Sequence, residues 1–211
     1  MPIKKAENIY RLLRKNYPRA KIALNYANPW ELLAAVILSA QCTDKRVNIV
    51  TEKLFAKYRA IENFANADIK EFEQDIRSTG FYRNKAKNII ASAKKIIAGH
   101  GGKVPQTMEE LTSLPGVGRK TANIILYNAF GKIFGIPVDT HVGRLSQRLG
   151  LSREKNPVKI EKDLMRIFPE KYYGKLSYLL IEHGRAVCKA RAPLCGDCFL
   201  SGLCPKKSFS K

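Results

Sequence analysis

Apolar residues recur along most of the chain at intervals of three and four, which is the spacing of amphipathic helices. No segment alternates apolar and polar residues for long enough to predict a strand. In residues 84–97 the pattern would place the isoleucines and Ala93 on one helix face and the lysines on the other, with the helix ending at Gly99. About ten such helices are expected, so the predicted fold class is all-α.

Capping residues mark where several of these helices begin. Asparagine, threonine and aspartate side chains accept hydrogen bonds from the first free amides of a helix, and proline is favoured at the first helical position. The helix that Asp68 caps is expected to continue to a stop at Gly80. The predicted starts are Asn28 with Pro29, Thr43, Asp68, Thr107 with Glu110, and Asn156 with Pro157.

Residues 131–140, GKIFGIPVDT, are the predicted joint between two domains, because two glycines and a proline interrupt the helical pattern there. A helical domain before this joint and a second one after it would leave a cleft between them. The sequence therefore predicts two helical domains rather than one.

Charge narrows the class of partner. The chain has 38 Lys and Arg against 18 Asp and Glu, a formal net charge of +20, and its 45% hydrophobic residues suffice for a packed core. Such an excess favours a polyanion, above all nucleic acid, although a ribosomal-type binder or a protein basic by lineage would share it. No apolar run reaches the roughly 18 residues of a membrane span, so a cytoplasmic protein with no membrane contact is expected.

Four of the five cysteines crowd into one C-terminal segment with the spacing C-x6-C-x2-C-x5-C. Four thiolates so close together predict a metal centre, and both zinc and an iron-sulfur cluster take sulfur ligands. A zinc ribbon usually shows two C-x2-C pairs, so the single pair here mildly favours a cluster. Stabilising the C-terminal loop is the expected role of this centre. The candidate ligands are Cys188, Cys195, Cys198 and Cys204, while Cys42 is expected to be a small packed residue.

The stretch LPGVG predicts a hairpin between two helices. Gly116 and Gly118 can adopt positive φ and expose backbone amides just before the helix that starts near Arg119. Amides at a helix N-terminus bind phosphate, so the unit is read as a helix-hairpin-helix that grips the DNA backbone without reading bases. A tight turn with no ligand is the alternative reading.

Lys120 follows in the first turn of that helix. Its ammonium would face the positive end of the helix dipole, which disfavours the charged form by ~0.3 to 1 kcal/mol. Desolvation under a bound substrate and the charge of Arg119 would add to this effect, so Lys120 is a candidate amine nucleophile. A lysine that binds phosphate is the alternative.

Asp139, in VDTHVGRL, is the candidate catalytic carboxylate. Either Asp139 or Thr140 is well placed to cap the following helix, and capping is compatible with a chemical role. With a cleft between the domains, Asp139 would project from one wall and Lys120 from the other.

Several segments together resemble the endonuclease III DNA glycosylases of the helix-hairpin-helix superfamily. The resemblance covers nearly the whole chain and implies a 4Fe-4S cluster. It also implies a six-helix barrel-like domain at 22–132, and a cluster domain made of 1–21 and 133–211, flanking a DNA-binding cleft. The matching segments are LSAQCTDKRVN, STGFYRNKAKNI, LPGVGRKTAN, VDTHVGRL and the four-cysteine loop.

The resemblance also implies a mechanism. An oxidised pyrimidine is flipped out of the duplex, the amine of Lys120 attacks C1′ and displaces the base, and the Schiff base leads to cleavage 3′ of the abasic site by β-elimination. Asp139 would support the positive charge that develops on the sugar. The alternatives are an adenine-mismatch glycosylase and a non-catalytic DNA-binding module that carries the cluster.

The implied partner is damaged double-stranded DNA, bound by a monomer. Gln41 and Phe81 would enter the gap left by the flipped nucleotide; the other readings are a helix-end amide and a core aromatic. His141 would meet phosphate together with Arg144, or else be buried. The expected DNA-binding residues are Gln41, Phe81, Gly116, Gly118, Arg119, His141, Arg144, Lys189 and Arg191.

Overall fold

The computed structural model describes residues 3–205, which contain eleven α-helices, two short 3-10 turns and no strand. The prediction of an all-α fold is therefore confirmed. None of the described helices is both long and apolar enough to cross a membrane. The chain divides into two compact units: Ala23–Lys132 forms one, and the described residues before and after that range form the other.

The unit Ala23–Lys132 is built around a buried helix. Within α2 every residue from Leu32 to Leu38 is buried, and α2 packs against α3, α6 and α8. An aromatic cluster centred on Phe64 fills the space beside α2, with edge contacts to Trp30 and Phe72. The helices of this unit are α2 (Pro29–Leu38), α3 (Asp44–Lys57), α4 (Ile61–Ala65), α5 (Ile69–Asp75), α6 (Tyr82–His100), α7 (Met108–Thr112) and α8 (Arg119–Phe130).

The second unit is organised around α11, which contacts α1 and α9, while α10 packs on α9. The buried hydroxyl of Ser177 on α11 donates a 2.7 Å hydrogen bond to the carbonyl of Pro137, two residues before Asp139. This bond fixes the segment that leads into α9. The helices of this unit are α1 (Ile3–Asn16), α9 (Thr140–Arg148), α10 (Pro157–Ile167) and α11 (Tyr173–Ala186).

All five predicted helix starts are confirmed. In each case the side chain of the N-cap residue accepts a hydrogen bond from an amide in the first turn: Asn28, Thr43, Asp68, Thr107 and Asn156. Helix ends are less well predicted. The helix that Asp68 caps ends at Asp75, and the residues Arg77–Thr79 form a separate 3-10 turn before Gly80.

Two predictions about α6 are wrong. The helix continues past Gly99 and ends where Gly101 adopts the left-handed conformation, with φ of 54°. Its lysines do not all line the solvent face, because Lys85 is only 4% exposed. A buried ammonium needs oxygen partners, and Lys85 has two of them in this unit.

Candidate active site and metal centre

Lys120 is the second residue of α8, and its side chain is exposed. Gly118 is the N-cap of this helix and uses no side chain to satisfy the first amides. The backbone amides of the first turn and an exposed amine therefore share the N-terminal end of α8. This arrangement suits an anionic ligand on the amides with the amine beside it.

The two hairpin glycines differ in conformation. Gly116 has φ of +78°, which L-residues with a side chain rarely adopt, whereas Gly118 has φ of −93°. Of the two glycines that could adopt positive φ, only Gly116 does so. A Cβ at Gly116 would also lie 2.8 Å from Nδ2 and 3.0 Å from Cβ of Asn88, while a Cβ at Gly118 would meet nothing within 4 Å.

Side chains of helix α6 hold the hairpin in place through hydrogen bonds to backbone carbonyls. Ser92 donates a hydrogen bond of 3.0 Å to the carbonyl of Pro115, and Lys95 Nζ donates one of 2.8 Å to the carbonyl of Ser113. Asn88 lies on the same face and packs against Gly116. The spacing of these three residues, i, i+4 and i+7, places them along one stripe of the helix.

We expect Gly116→Ala and Gly118→Ala to affect different properties, namely stability in the first case and DNA binding in the second. Gly116→Ala should lower the free energy of unfolding by about 2 to 4 kcal/mol, since it adds left-handed strain and a clash with Asn88. Gly118→Ala should change stability by less than about 1 kcal/mol. Its methyl group would instead occupy the open space where phosphate would bind, and so weaken binding of duplex DNA. Thermal unfolding and a DNA titration of both variants measure this contrast, and equal losses of stability would contradict it.

Asp139 is the N-cap residue of α9. Its Oδ1 accepts a 2.8 Å hydrogen bond from the amide of Val142, and the side chain is partly buried. Of the two residues that could cap this helix, Asp139 therefore does so. The bond fixes the direction of the carboxylate, which is what a group aimed at a reacting sugar requires.

His141 and Arg144 lie one turn apart on α9 and are both partly buried. The guanidinium of Arg144 donates to Nδ1 of His141, to the carbonyl of Gly184 and to the carbonyl of Cys188, at 3.1 to 3.2 Å. A Cβ at Gly184 would lie 2.8 Å from Nδ1 of His141, so the close contact between α9 and α11 needs glycine there. Arg144 thus joins α9 to the start of the cysteine loop, and its contact with phosphate stays a prediction.

Gln41 and Phe81 are both exposed and both left-handed. Their φ angles are 52° and 48°, and Phe81 is 63% exposed. Phe81 is therefore not a core aromatic, and Gln41 lies beyond the end of α2 at Leu38 rather than within the helix. Arg119, Lys189 and Arg191 are exposed as well.

The other three C-terminal cysteines lie close enough to Cys198 to affect its ionisation. Burial raises the pKa of the Cys198 thiol, a hydrogen bond from the Leu200 amide opposes this, and the charges of Cys188, Cys204 and Cys195 raise it further. Four mutually repelling thiolates in one loop are stabilised when iron supplies the positive charge.

The donor set fits an iron-sulfur cluster. In residues 3–205, no three or more His, Cys, Asp or Glu side chains are arranged so that they could hold a metal ion. Thiolates that each bind a separate iron of a 4Fe-4S cluster do not need to converge on one point. Four cysteine thiols in one short loop, with Cys188, Cys195 and Cys204 close enough to raise the pKa of Cys198, are a donor set that fits this cofactor.

Sequence reasoning missed two residues that support the cysteine loop. On α9, Arg148 donates hydrogen bonds to the carbonyls of Lys189 and Ala190, at 2.6 and 3.0 Å, and its NH1 lies 3.5 Å from Sγ of Cys188. On α11, His183 is 1% exposed and its Nε2 lies 3.5 Å from Sγ of Cys198.

The environment of His183 keeps this side chain neutral. Burial lowers the pKa of His183 to about 4. The hydroxyl of Tyr17 lies 3.1 Å from Nδ1 and can donate to it, which leaves the N–H on Nε2 free to donate to the sulfur of Cys198. For His183, the available signal in the sequence was the stretch HGR at 183–185, just before Cys188. This stretch does not reveal the contacts with Tyr17 and Cys198.

Comparison with known proteins defines the class to which this helical fold and its cysteine loop belong. Residues 34–170 match the model of the HhH-GPD superfamily base excision DNA repair proteins, and residues 188–204 match the iron-sulfur binding domain of endonuclease III. The chain is 53% identical to the endonuclease III of Synechocystis sp. over 206 residues, which are 98% of this chain and 94% of that protein.

Two solved structures resemble the fold closely, each with a TM-score of 0.93 and 44% sequence identity. One is a non-covalent endonuclease III–DNA complex, covering 98% of this chain and 96% of that chain. The other is a trapped endonuclease III–DNA covalent intermediate, covering 98% of this chain and 97% of that chain.

The chain is therefore a base excision DNA repair protein of the helix-hairpin-helix class. Within that class it belongs to the endonuclease III family. Accordingly it is a bifunctional DNA glycosylase and AP lyase that carries a 4Fe-4S cluster. These findings confirm the predicted family, activity and cofactor, and the readings as a zinc site, an adenine-mismatch enzyme or a non-catalytic module are wrong.

Proposed function

We propose that this enzyme excises oxidised pyrimidines from duplex DNA with Lys120 as the nucleophile and Asp139 as the catalytic carboxylate. The observation that carries the proposal is the exposed amine of Lys120 in the first turn of α8, directly after the hairpin. The covalent DNA intermediate described for a 44% identical protein supports an enzyme-bound step of this kind.

The first step releases the damaged base. The neutral amine of Lys120 attacks C1′ of the flipped nucleotide, a C–N bond forms to the enzyme, and the N-glycosidic bond breaks with its electron pair on the base. The departing base takes up the proton that the newly bonded nitrogen loses. The nitrogen lone pair then forms a C=N bond as the C1′–O4′ bond breaks with its electron pair on O4′, which takes up a proton from water, and a protonated Schiff base on Lys120 results.

Asp139 would stabilise positive charge on the sugar in the first transition state. Its Oδ1 is fixed by the amide of Val142, so the carboxylate pays little to be oriented during the reaction. The same carboxylate can receive and return protons as the Schiff base forms and hydrolyses. Both roles require a carboxylate of fixed direction, and the bond from the Val142 amide provides it.

The second step breaks the DNA strand. The Schiff base acidifies the proton on C2′, loss of that proton forms a C–C double bond, and the C3′–O bond breaks with its electron pair on the 3′ phosphate. Water then hydrolyses the Schiff base and restores the amine. Because both steps pass through nitrogen, an oxygen nucleophile at position 120 could not replace Lys120 in the lyase reaction.

Backbone contacts would hold the DNA in register without reading its sequence. The amides at the start of α8 are proposed to bind phosphate, with the net charge of +20 adding a general attraction to the duplex. The proposed backbone-binding residues are Gly116, Gly118, Arg119, His141, Arg144, Lys189 and Arg191.

Gln41 and Phe81 would fill the gap left by the flipped nucleotide. Both side chains are exposed, and both are presented by left-handed backbone in a short segment between two helical elements. Unstacking a base step costs a few kcal/mol, which inserted side chains offset by new contacts with the flanking bases.

Cys188, Cys195, Cys198 and Cys204 are the proposed cluster ligands. When bound, the cluster supplies a cross-link that holds the C-terminal loop together. Arg148 and His183 support the loop from α9 and α11, and Lys189 and Arg191 would then be held at fixed positions.

We also propose that the protein works as a monomer in the compartment that holds its DNA, the cytoplasm.

Borohydride trapping over a panel of duplexes tests the proposed substrate class. An oxidised pyrimidine and an abasic site should each give a covalent protein–DNA product, because both lead to a Schiff base that borohydride reduces. Undamaged duplex should give none, and an oxidised purine should give at least about tenfold less. Preferential trapping on the oxidised purine would overturn the assignment to pyrimidines.

A further inference from the structure

The buried residue Lys85 contacts two separate loops. Its Nζ donates a 2.7 Å hydrogen bond to the carbonyl of Leu38 and a 2.8 Å hydrogen bond to the carbonyl of Thr79. The side chain is 4% exposed, so it cannot itself contact DNA. Burial lowers the pKa of Lys85 and the nearby Cys42 opposes this, which agrees with an enclosed position.

Both acceptors are carbonyls at the ends of helical segments. Leu38 is the last residue of α2, and Thr79 is the last residue of the 3-10 turn Arg77–Thr79. Carbonyls at these positions have no partner within their own helix, and a cation is favoured at the negative end of the helix dipole. The ammonium of Lys85 therefore donates hydrogen bonds to the ends of two helical segments, whose last residues are 41 positions apart in sequence.

The two loops carry the residues proposed to enter the DNA. Gln41 follows Leu38 by three residues and Phe81 follows Thr79 by two, and both adopt positive φ. A left-handed conformation at a residue other than glycine persists only where the surrounding structure enforces it. The bonds from Lys85 fix the chain just before each of these residues.

We propose that Lys85 is a positioning residue that fastens the Gln41 and Phe81 loops to each other, so that both side chains are presented to DNA as one rigid unit. The proposal rests on the insertion role given to Gln41 and Phe81 under the proposed function. Two side chains that fill one gap must keep a fixed separation, and a shared buried cation provides it without occupying the DNA surface.

The rest of α6 agrees with this role. Lys85 lies on the same stripe of the helix as Asn88, Ser92 and Lys95, with spacings of three, four and three residues. The latter three contact the hairpin that precedes Lys120. One face of α6 therefore supports both the inserting loops and the hairpin.

The variant Lys85→Met keeps the length of the side chain and removes the cation. We expect kcat/KM on a damaged duplex to fall about 10- to 100-fold, because misplacement by about 1 Å has effects of that size. Lys87→Met is the matched control, since Lys87 is exposed on the same helix and carries the same charge. Its loss should stay below about threefold at the same salt concentration.

A double-mutant comparison separates positioning from general stability. In a protein that already carries Gln41→Ala and Phe81→Ala, Lys85→Met should cost less than about twofold, since the side chains it positions are gone. The fluorescence of 2-aminopurine opposite an abasic site should report less unstacking for Lys85→Met than for the wild-type enzyme.

Equal losses from Lys85→Met in both backgrounds would overturn the proposal, because Lys85 would then only hold the fold. No loss in the wild-type background would overturn it too. If Lys85→Met does not fold, Lys85→Gln keeps two N–H donors without the charge, and the same two-background comparison decides. The proposed function fails by a different result, namely trapping that does not depend on Lys120.

Discussion

Lys120→Ala is expected to abolish borohydride trapping on abasic duplex and to lower strand cleavage by at least about a thousandfold. The physical reason is that the first turn of α8 then offers no amine to form the Schiff base. The fold should be unaffected, since the side chain is exposed. Gel analysis of the trapped product and of the cleaved strand measures both effects.

Lys53→Ala is the matched control, because Lys53 is an exposed lysine on α3 and its substitution by alanine removes the same charge. It should trap at close to the wild-type level. Lys120→Gln should behave like Lys120→Ala in trapping while keeping a polar side chain of similar length. Efficient trapping by either Lys120 variant would remove Lys120 from the role of nucleophile.

Substitution of a cluster cysteine by serine is expected to have the second largest effect. Each of the four variants should lose the iron of the cluster, from about four atoms to near zero, and the yellow-brown colour should go with it. Serine oxygen is a poorer ligand for iron than thiolate, and loss of one link releases the loop. Iron analysis and the visible absorption spectrum of the variants Cys188→Ser, Cys195→Ser, Cys198→Ser and Cys204→Ser measure this.

Cys42→Ser provides the control, since Cys42 lies far from the loop in sequence and belongs to the other unit. It should keep the full iron content. A Cys198→Ser protein that still held about four irons would contradict the ligand assignment.

Loss of the cluster should also disturb helix α9. Arg144 and Arg148 on this helix donate to the carbonyls of Cys188 and Lys189, so the loop and α9 share hydrogen bonds. Asp139 caps the same helix. A loosened loop would leave these arginines without their acceptors and thereby disturb the helix that orients the carboxylate.

Local rules account for what could be predicted from the sequence. The N-caps at Asn28, Thr43 and Asp68 were predictable because each cap is a contact between residues two or three apart. The all-helical fold was predictable for the same reason, since the spacing of apolar residues along a helix is a pattern among residues three and four apart. The position of Lys120 in the first turn of α8 needed only the glycines before it.

Contacts between distant residues were not predictable in this way. Lys85 has the spacing of a surface lysine, and its burial follows from acceptors that lie six and 47 residues away. The partner of His183 is Tyr17, which is 166 residues distant. Gly118 shows the same limit at short range, since glycine is compatible with either sign of φ and the residue type alone did not reveal the value of −93°.

Identification of the trapped residue tests the central claim most directly. Wild-type protein reduced with borohydride on an oxidised-pyrimidine duplex is digested with protease and nuclease, and the modified peptide is sequenced by mass spectrometry. We expect a sugar remnant on Nζ of Lys120. A remnant on any other side chain, or on the N-terminal amine, with Lys120 unmodified would contradict this claim.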